Sequence, residues 1–172
     1  MQTRTVTLFA ALILGLSLPA SAAAGRELLG SYRDWDAIVS KHGNTKVCYM
    51  ISMPKKSVAS RSGASRGDIY ITISHRPAAH VKNEVNVIVG YPLKEGSTMK
   101  VRVDGRHQFE LFTEGEGAWA YDPKDDTAMV NAMRAGSHLV AYGVSQRGTK
   151  TTDTYSLSGF TAAYNAITKA CN

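Results

Sequence analysis

Five histidines stand at positions 42, 75, 80, 107 and 138, and none is spaced as H-x-x-x-H or H-E-x-x-H, the patterns that set two imidazoles over a metal on one helix face. His75 and His80 flank Arg76, Pro77, Ala78 and Ala79. The proline there favours a loop, and two imidazoles beside a cation lack the carboxylate that would complete a ligand set. Both are expected to be exposed loop residues, and no metal or other cofactor is expected. Hydrolysis through an activated serine would need a nucleophile, a base and an orienting acid brought together by the fold, and the order of residues does not mark such a set. Asp125 with Asp126, and Glu114 with Glu116, are the paired carboxylates. The first pair reads as the acidic opening of a helix and the second as turn residues around a glycine. Neither glycine pattern that cradles phosphates occurs.

The most distinctive polar stretch runs from Pro54 to Gly67 and carries Lys55, Lys56, Arg61 and Arg66 without an acid. It is expected to be a long flexible loop that docks on an anionic partner, such as a phosphate-bearing lipid, lipopolysaccharide or an acidic protein surface. The plainer reading is a solvated connection whose charge serves solubility. The formal charge of the chain, +6, favours anionic partners in general. Nucleic acid is not expected, because no aromatic residues interleave with the basic ones to form a stacking platform and the chain carries an export signal.

That signal occupies the first 22 residues. Arg4 precedes an apolar run from Leu8 to Leu18, and Ala20 and Ala22 fit the small-residue pattern for cleavage after Ala22. The run is too short to span a membrane, and no later stretch reaches the roughly 20 apolar residues that a span needs. An exported chain with two cysteines is expected to pair Cys48 with Cys171, with two buried free thiols as the other reading.

The elements that must position these groups are mostly short strands. Ile69, Ile71 and Ile73, then Val85, Val87 and Val89, then Val101 and Val103, alternate with polar residues at period two, as half-buried strands do. Asp104 and Gly105 have the composition of a tight hairpin turn with two positive-φ residues. Helical spacing appears twice: over 125–135, through Met129, Ala132 and Met133 up to Gly136, and after Ser158, an expected N-cap, through Phe160, Ala163, Tyr164, Ile167 and Cys171. The fold expected is all-β: one domain over 23–172, an antiparallel β-sandwich of about eight to nine strands with a short helix near 125–135 and a C-terminal helix packed on the sheet. Trp35 reads as core.

Three stretches carry a family resemblance: Gly30 to Trp35, Val47 to Met50, and Leu157 to Cys171 with its Gly-Phe-Thr-Ala-Ala opening. Together they resemble the invasion-associated locus B family. The resemblance covers Trp35 to Cys171 and implies an exported single-domain β-sandwich of Gram-negative, mainly alphaproteobacterial, bacteria, linked by name to host-cell invasion and without an established catalytic activity. Many family members carry a further cysteine about four residues after the tryptophan, where this chain has Val39. The expectation is therefore a non-enzymatic protein of the periplasm, the outer membrane or the medium that binds an anionic partner. The alternatives are a periplasmic enzyme acting on an envelope polymer or peptide through a site assembled from loops, and a chaperone-like envelope protein with an exposed apolar groove.

Overall fold

The computed structural model describes residues 25–172, and the signal expected over residues 1–22 lies outside them. Eleven strands make one antiparallel sheet: β1 (Gly25–Tyr32), β2 (Trp35–His42), β3 (Thr45–Ser52), β4 (Lys56–Ala59), β5 (Tyr70–Arg76), β6 (Val81–Ile88), β7 (Thr98–Val103), β8 (His107–Glu114), β9 (Gly117–Ala120), β10 (His138–Val144) and β11 (Lys150–Ser156). Two helices, α1 (Pro123–Ala135) and α2 (Phe160–Cys171), complete it. Neighbours run β1-β2-β3-β5-β6-β9-β8-β7-β10-β11-β4, which leaves β1 and β4 as the edges of an unclosed sheet.

The sheet nevertheless folds over on itself into a sandwich-like body. The Trp35 indole N–H donates to the Ser156 carbonyl at 3.0 Å, and the Asp34 amide donates to Ser158, so β2 meets the end of β11 from the far side of the strand order. Ile71, Ile73, Val85, Val87, Val101 and Val103 face the core, as their alternation predicts. Asp104 and Gly105 take φ values of 49° and 68° between β7 and β8, the double positive-φ turn expected of that pair.

The fold is all-β as expected, with eleven strands in place of eight to nine. The two extra strands are the edges. Neither β1, interrupted by a bulge at Leu28–Gly30, nor the four-residue β4 has a buried alternating face, although Leu29 and Tyr32 of β1 pack against the core.

Helix α1 starts two residues before the expected 125, because Pro123 fits the first turn and the Asp122 carboxylate accepts the amides of Lys124 and Asp125. At α2 the expected cap is displaced: Gly159, not Ser158, occupies the N-cap position, at φ 89°. A Cβ at Gly159 would lie 1.8 Å from the Tyr32 carbonyl oxygen, so only glycine lets the chain pass β1 there. Helix α2 packs on β1, β2, β3 and β5, with the Phe160 ring edge-on to Trp35 at 4.9 Å. Cys171 at its end is bonded to Cys48 on β3, with Cα atoms 5.9 Å apart. Helix α1 covers β6, β8 and β9.

Candidate functional site

The segment between Pro54 and Gly67 is not the free loop that its composition predicts. Lys56–Ala59 pair with β11 as β4, and the chain then turns through Gly63 and comes back to the sheet at Arg66. The Arg66 guanidinium holds both carboxylate oxygens of Asp153 at 2.7 and 2.6 Å, donates from Nε to the Val89 carbonyl at 3.0 Å, and lies over the Tyr91 ring. The pair is sheltered, at 10% and 1% side-chain exposure. Burial works against the Arg66 charge, but the hydrogen bonds and charge of Asp153 outweigh it and hold the guanidinium above its ordinary pKa. Gly67 donates to the Gly90 carbonyl at 2.8 Å, an approach so close that a Cβ on Gly90 would meet the Gly67 backbone at 2.7 Å.

This anchoring leaves a groove of about 800 Å³. One side is the returning segment with Arg61, Ser65 and Arg66, the floor includes Tyr91 and Thr151, and the turn between β10 and β11 adds Gln146 and Arg147. Tyr91 and Thr151 share a hydroxyl hydrogen bond of 2.5 Å, and the Gln146 amide donates to the Pro92 carbonyl, which ties that turn to the groove floor. Among the described residues, neither Arg61 nor Arg147 is paired with a carboxylate, although Glu116 lines the same groove.

Of the four predicted cations, Arg61 and Arg66 come together in the groove, and Lys55 and Lys56 lie outside its lining. Lys55 pairs with Asp34, whose carboxyl is held below its ordinary pKa by hydrogen bonds to Lys55 and Ser156, and Lys56 is exposed on β4. Sequence reasoning did not single out Arg147 or Tyr91. A turn signal at Gly148 was present, but nothing in the order of residues places that turn beside position 61.

The histidines do not assemble. His75 corrects the expectation of an exposed loop residue: it lies on β5 at 4% exposure. Its Nδ1 lies 3.1 Å from both the Asn83 amide and the Ser74 carbonyl, and its Nε2 lies 3.1 Å from Thr168 Oγ1. Burial pushes its pKa below the ordinary imidazole range. His80 follows a single 3-10 turn, Pro77–Ala79, and is exposed. His138 meets Asp104 at 3.0 Å on the surface, away from the groove lining.

Asp126 is more than an opening residue of α1. Its Oδ1 accepts the Val85 amide at 2.9 Å, and burial first, then the charges of Glu84, Asp125 and Asp122, raise its pKa to about 6 against that bond. Among the described residues no three His, Cys, Asp or Glu side chains are placed to hold a metal ion.

The family model described as Invasion associated locus B (IalB) protein matches residues 35–168. This chain belongs to the invasion associated locus B family. The matched span opens at Trp35, the indole that joins β2 to β11, and closes at Thr168, the partner of His75. It contains the whole IalB groove, and β1 and Cys171 lie outside it. Comparison with curated proteins and with solved structures returned no match.

Proposed function

We infer that this IalB protein is exported and acts by binding rather than catalysis, holding an anionic partner of the cell envelope or a host surface in the groove. The observation that carries the reading is the convergence of Arg61 and Arg147, from two separate segments, on one groove of about 800 Å³ whose wall is fixed by the Arg66–Asp153 pair. An arginine without a carboxylate partner presents a fork of donors suited to carboxylate or phosphate. Lys55 and Lys56 extend the cationic stretch outside the groove and serve encounter rather than docking. In this assignment Arg66, one of the four cations, builds the site and does not contact the partner. The alternative of a periplasmic enzyme is less well supported, since no histidine lines the groove and His75 and His138 are engaged elsewhere. The compartment that fits is the periplasm, with the outer membrane or the medium as its neighbours; no helix among the described residues is long and apolar enough to cross a membrane.

The test is retention of the oxidised protein on fractionated envelope material at low and high salt. Wild type should be retained at low salt and released at high salt. R61S/R147S should lose most of that retention, and K55S/K56S a smaller part. Equal retention of R61S/R147S and wild type would refute the groove assignment.

A further inference from the structure

On the outer face of β8 and β9, far from neutral in composition, a second site is built from aromatic rings and carboxylates. Phe112 and Trp119 are register partners across the two strands, and their rings stack 5.8 Å apart at 24°. Leu111, Ala118 and Ala120 beside them face the core, so both rings point outward and remain partly exposed. Tyr121, 61% exposed, extends the row at 5.6 Å from Phe112. The indole lies over Gly117, where a Cβ would meet it at 2.3 Å, so the missing side chain is what lets the ring lie there.

Phe112 and Trp119 line a shallow depression of about 250 Å³ together with Glu84, Glu114 and Asp126. Strand β9 pairs with β6 only along Asn86–Ile88, and the Asp126 carboxylate takes the next ladder position by accepting the Val85 amide. Glu84 is neutralised by Arg76. Glu114 and Asp126 have no cationic partner among the described residues, so the depression is acidic in a chain whose formal charge is +6.

We propose that the Phe112–Trp119–Tyr121 row and the Glu114 and Asp126 carboxylates form a binding site for a small organic cation of the quaternary ammonium class. Such a cation presents methyl groups to the ring faces and its charge to the carboxylates, and it is weakly hydrated, so both contacts survive desolvation. A bare metal ion fits poorly, because the acids do not converge closely enough to ligate one. A zwitterionic phosphocholine headgroup carries a phosphate, which an acidic depression disfavours. The free cation is therefore the ligand assigned.

The protein carries its own reporter and control. Trp119 sits in the site, and Trp35 is buried with its indole N–H bonded to Ser156. In a 15N-labelled sample, choline chloride should shift the Trp119 indole resonance saturably and leave that of Trp35 in place. Matched sodium chloride, the neutral isostere 3,3-dimethylbutan-1-ol and phosphocholine should each act more weakly. E114Q, at an exposed position that leaves the fold intact, should weaken choline binding about threefold to tenfold, and D126N should act in the same direction. No saturable Trp119 shift with choline would overturn the proposal. So would equal shifts from the neutral isostere, which would make the row merely apolar, or equal binding by phosphocholine, which would exclude the free cation as the preferred ligand.

Discussion

Under α2 the sandwich is secured by apolar burial and a covalent bond: Phe160 packs edge-on to Trp35, Ile167 and Ala163 are fully buried, and Cys171 is tied to Cys48. At the groove the same sheet is secured by a sheltered ion pair, Arg66–Asp153, and by a backbone contact between two glycines. The apolar end gains roughly in proportion to the area it buries and tolerates small adjustments of geometry. The polar end is all or nothing, because a buried carboxylate stripped of its guanidinium is worse than no charge at all. Its use is positional: it fixes the returning segment in one place, and so fixes where Arg61 stands.

Removing the disulfide tests the first region most severely. C48S/C171S should lose about 4 to 5 kcal/mol of stability by the chain-entropy estimate for a loop spanning 123 positions, read as a lower denaturant midpoint, and should keep its anion binding below the transition. In the second region, Arg66→Ala should cost about 3 to 5 kcal/mol, because it leaves Asp153 buried and unpaired. R66M/D153L, which removes both charges, should recover most of that stability without recovering binding. If the single and double variants were equally unstable, the ion pair would not differ in kind from the apolar contacts, and the comparison would fail.

Two groups near the helices sharpen the contrast through pH. The Asp126 pKa is raised by burial to about 6, so the fold favours its protonated form relative to the unfolded chain, while above pH 6 it is mostly ionised. Its contribution is complete below the ordinary carboxyl range and is lost as pH rises through about 6. His75, depressed by burial, has the opposite sign and destabilises the fold as pH falls below the ordinary imidazole range. Thermal unfolding at a series of pH values should show D126N gaining stability relative to wild type as pH rises through 6. A difference that did not change with pH would mean that Asp126 has the same pKa in the folded and the unfolded chain. The smallest effect concerns Tyr155, whose buried hydroxyl has no hydrogen-bond partner among the described residues. Tyr155→Phe should be neutral or stabilising by about 1 kcal/mol, measured by denaturant titration.

What was legible in the sequence followed from periodicity. Alternation at Ile71–Ile73 and Val85–Val87 shows which side chains face inward, and the stripe from Phe160 to Cys171 shows which face of α2 is buried, while the Cys48–Cys171 bond was expected from an export signal and two cysteines. Periodicity does not say which strands are neighbours. Arg66 reads as a solvated loop cation because its partner, Asp153, stands 87 positions away on a strand that nothing local links to it. His75 reads as a loop residue because Pro77 follows it, although the strand runs on to Arg76 before the turn. Edge strands β1 and β4 escape detection because neither has an alternating buried face. The groove was half visible: Arg61 stood out through the absence of acids around it, and Arg147 required the fold.

The most direct test of the groove is a backbone amide titration of the protein with inorganic polyphosphate as the anionic probe, at low and at high salt. The largest shifts should fall on residues 61–67 and 145–149, diminish at high salt, and disappear in R61S/R147S. Shifts spread over all exposed lysines, or centred on Lys55 and Lys56 with the groove silent, would contradict the account.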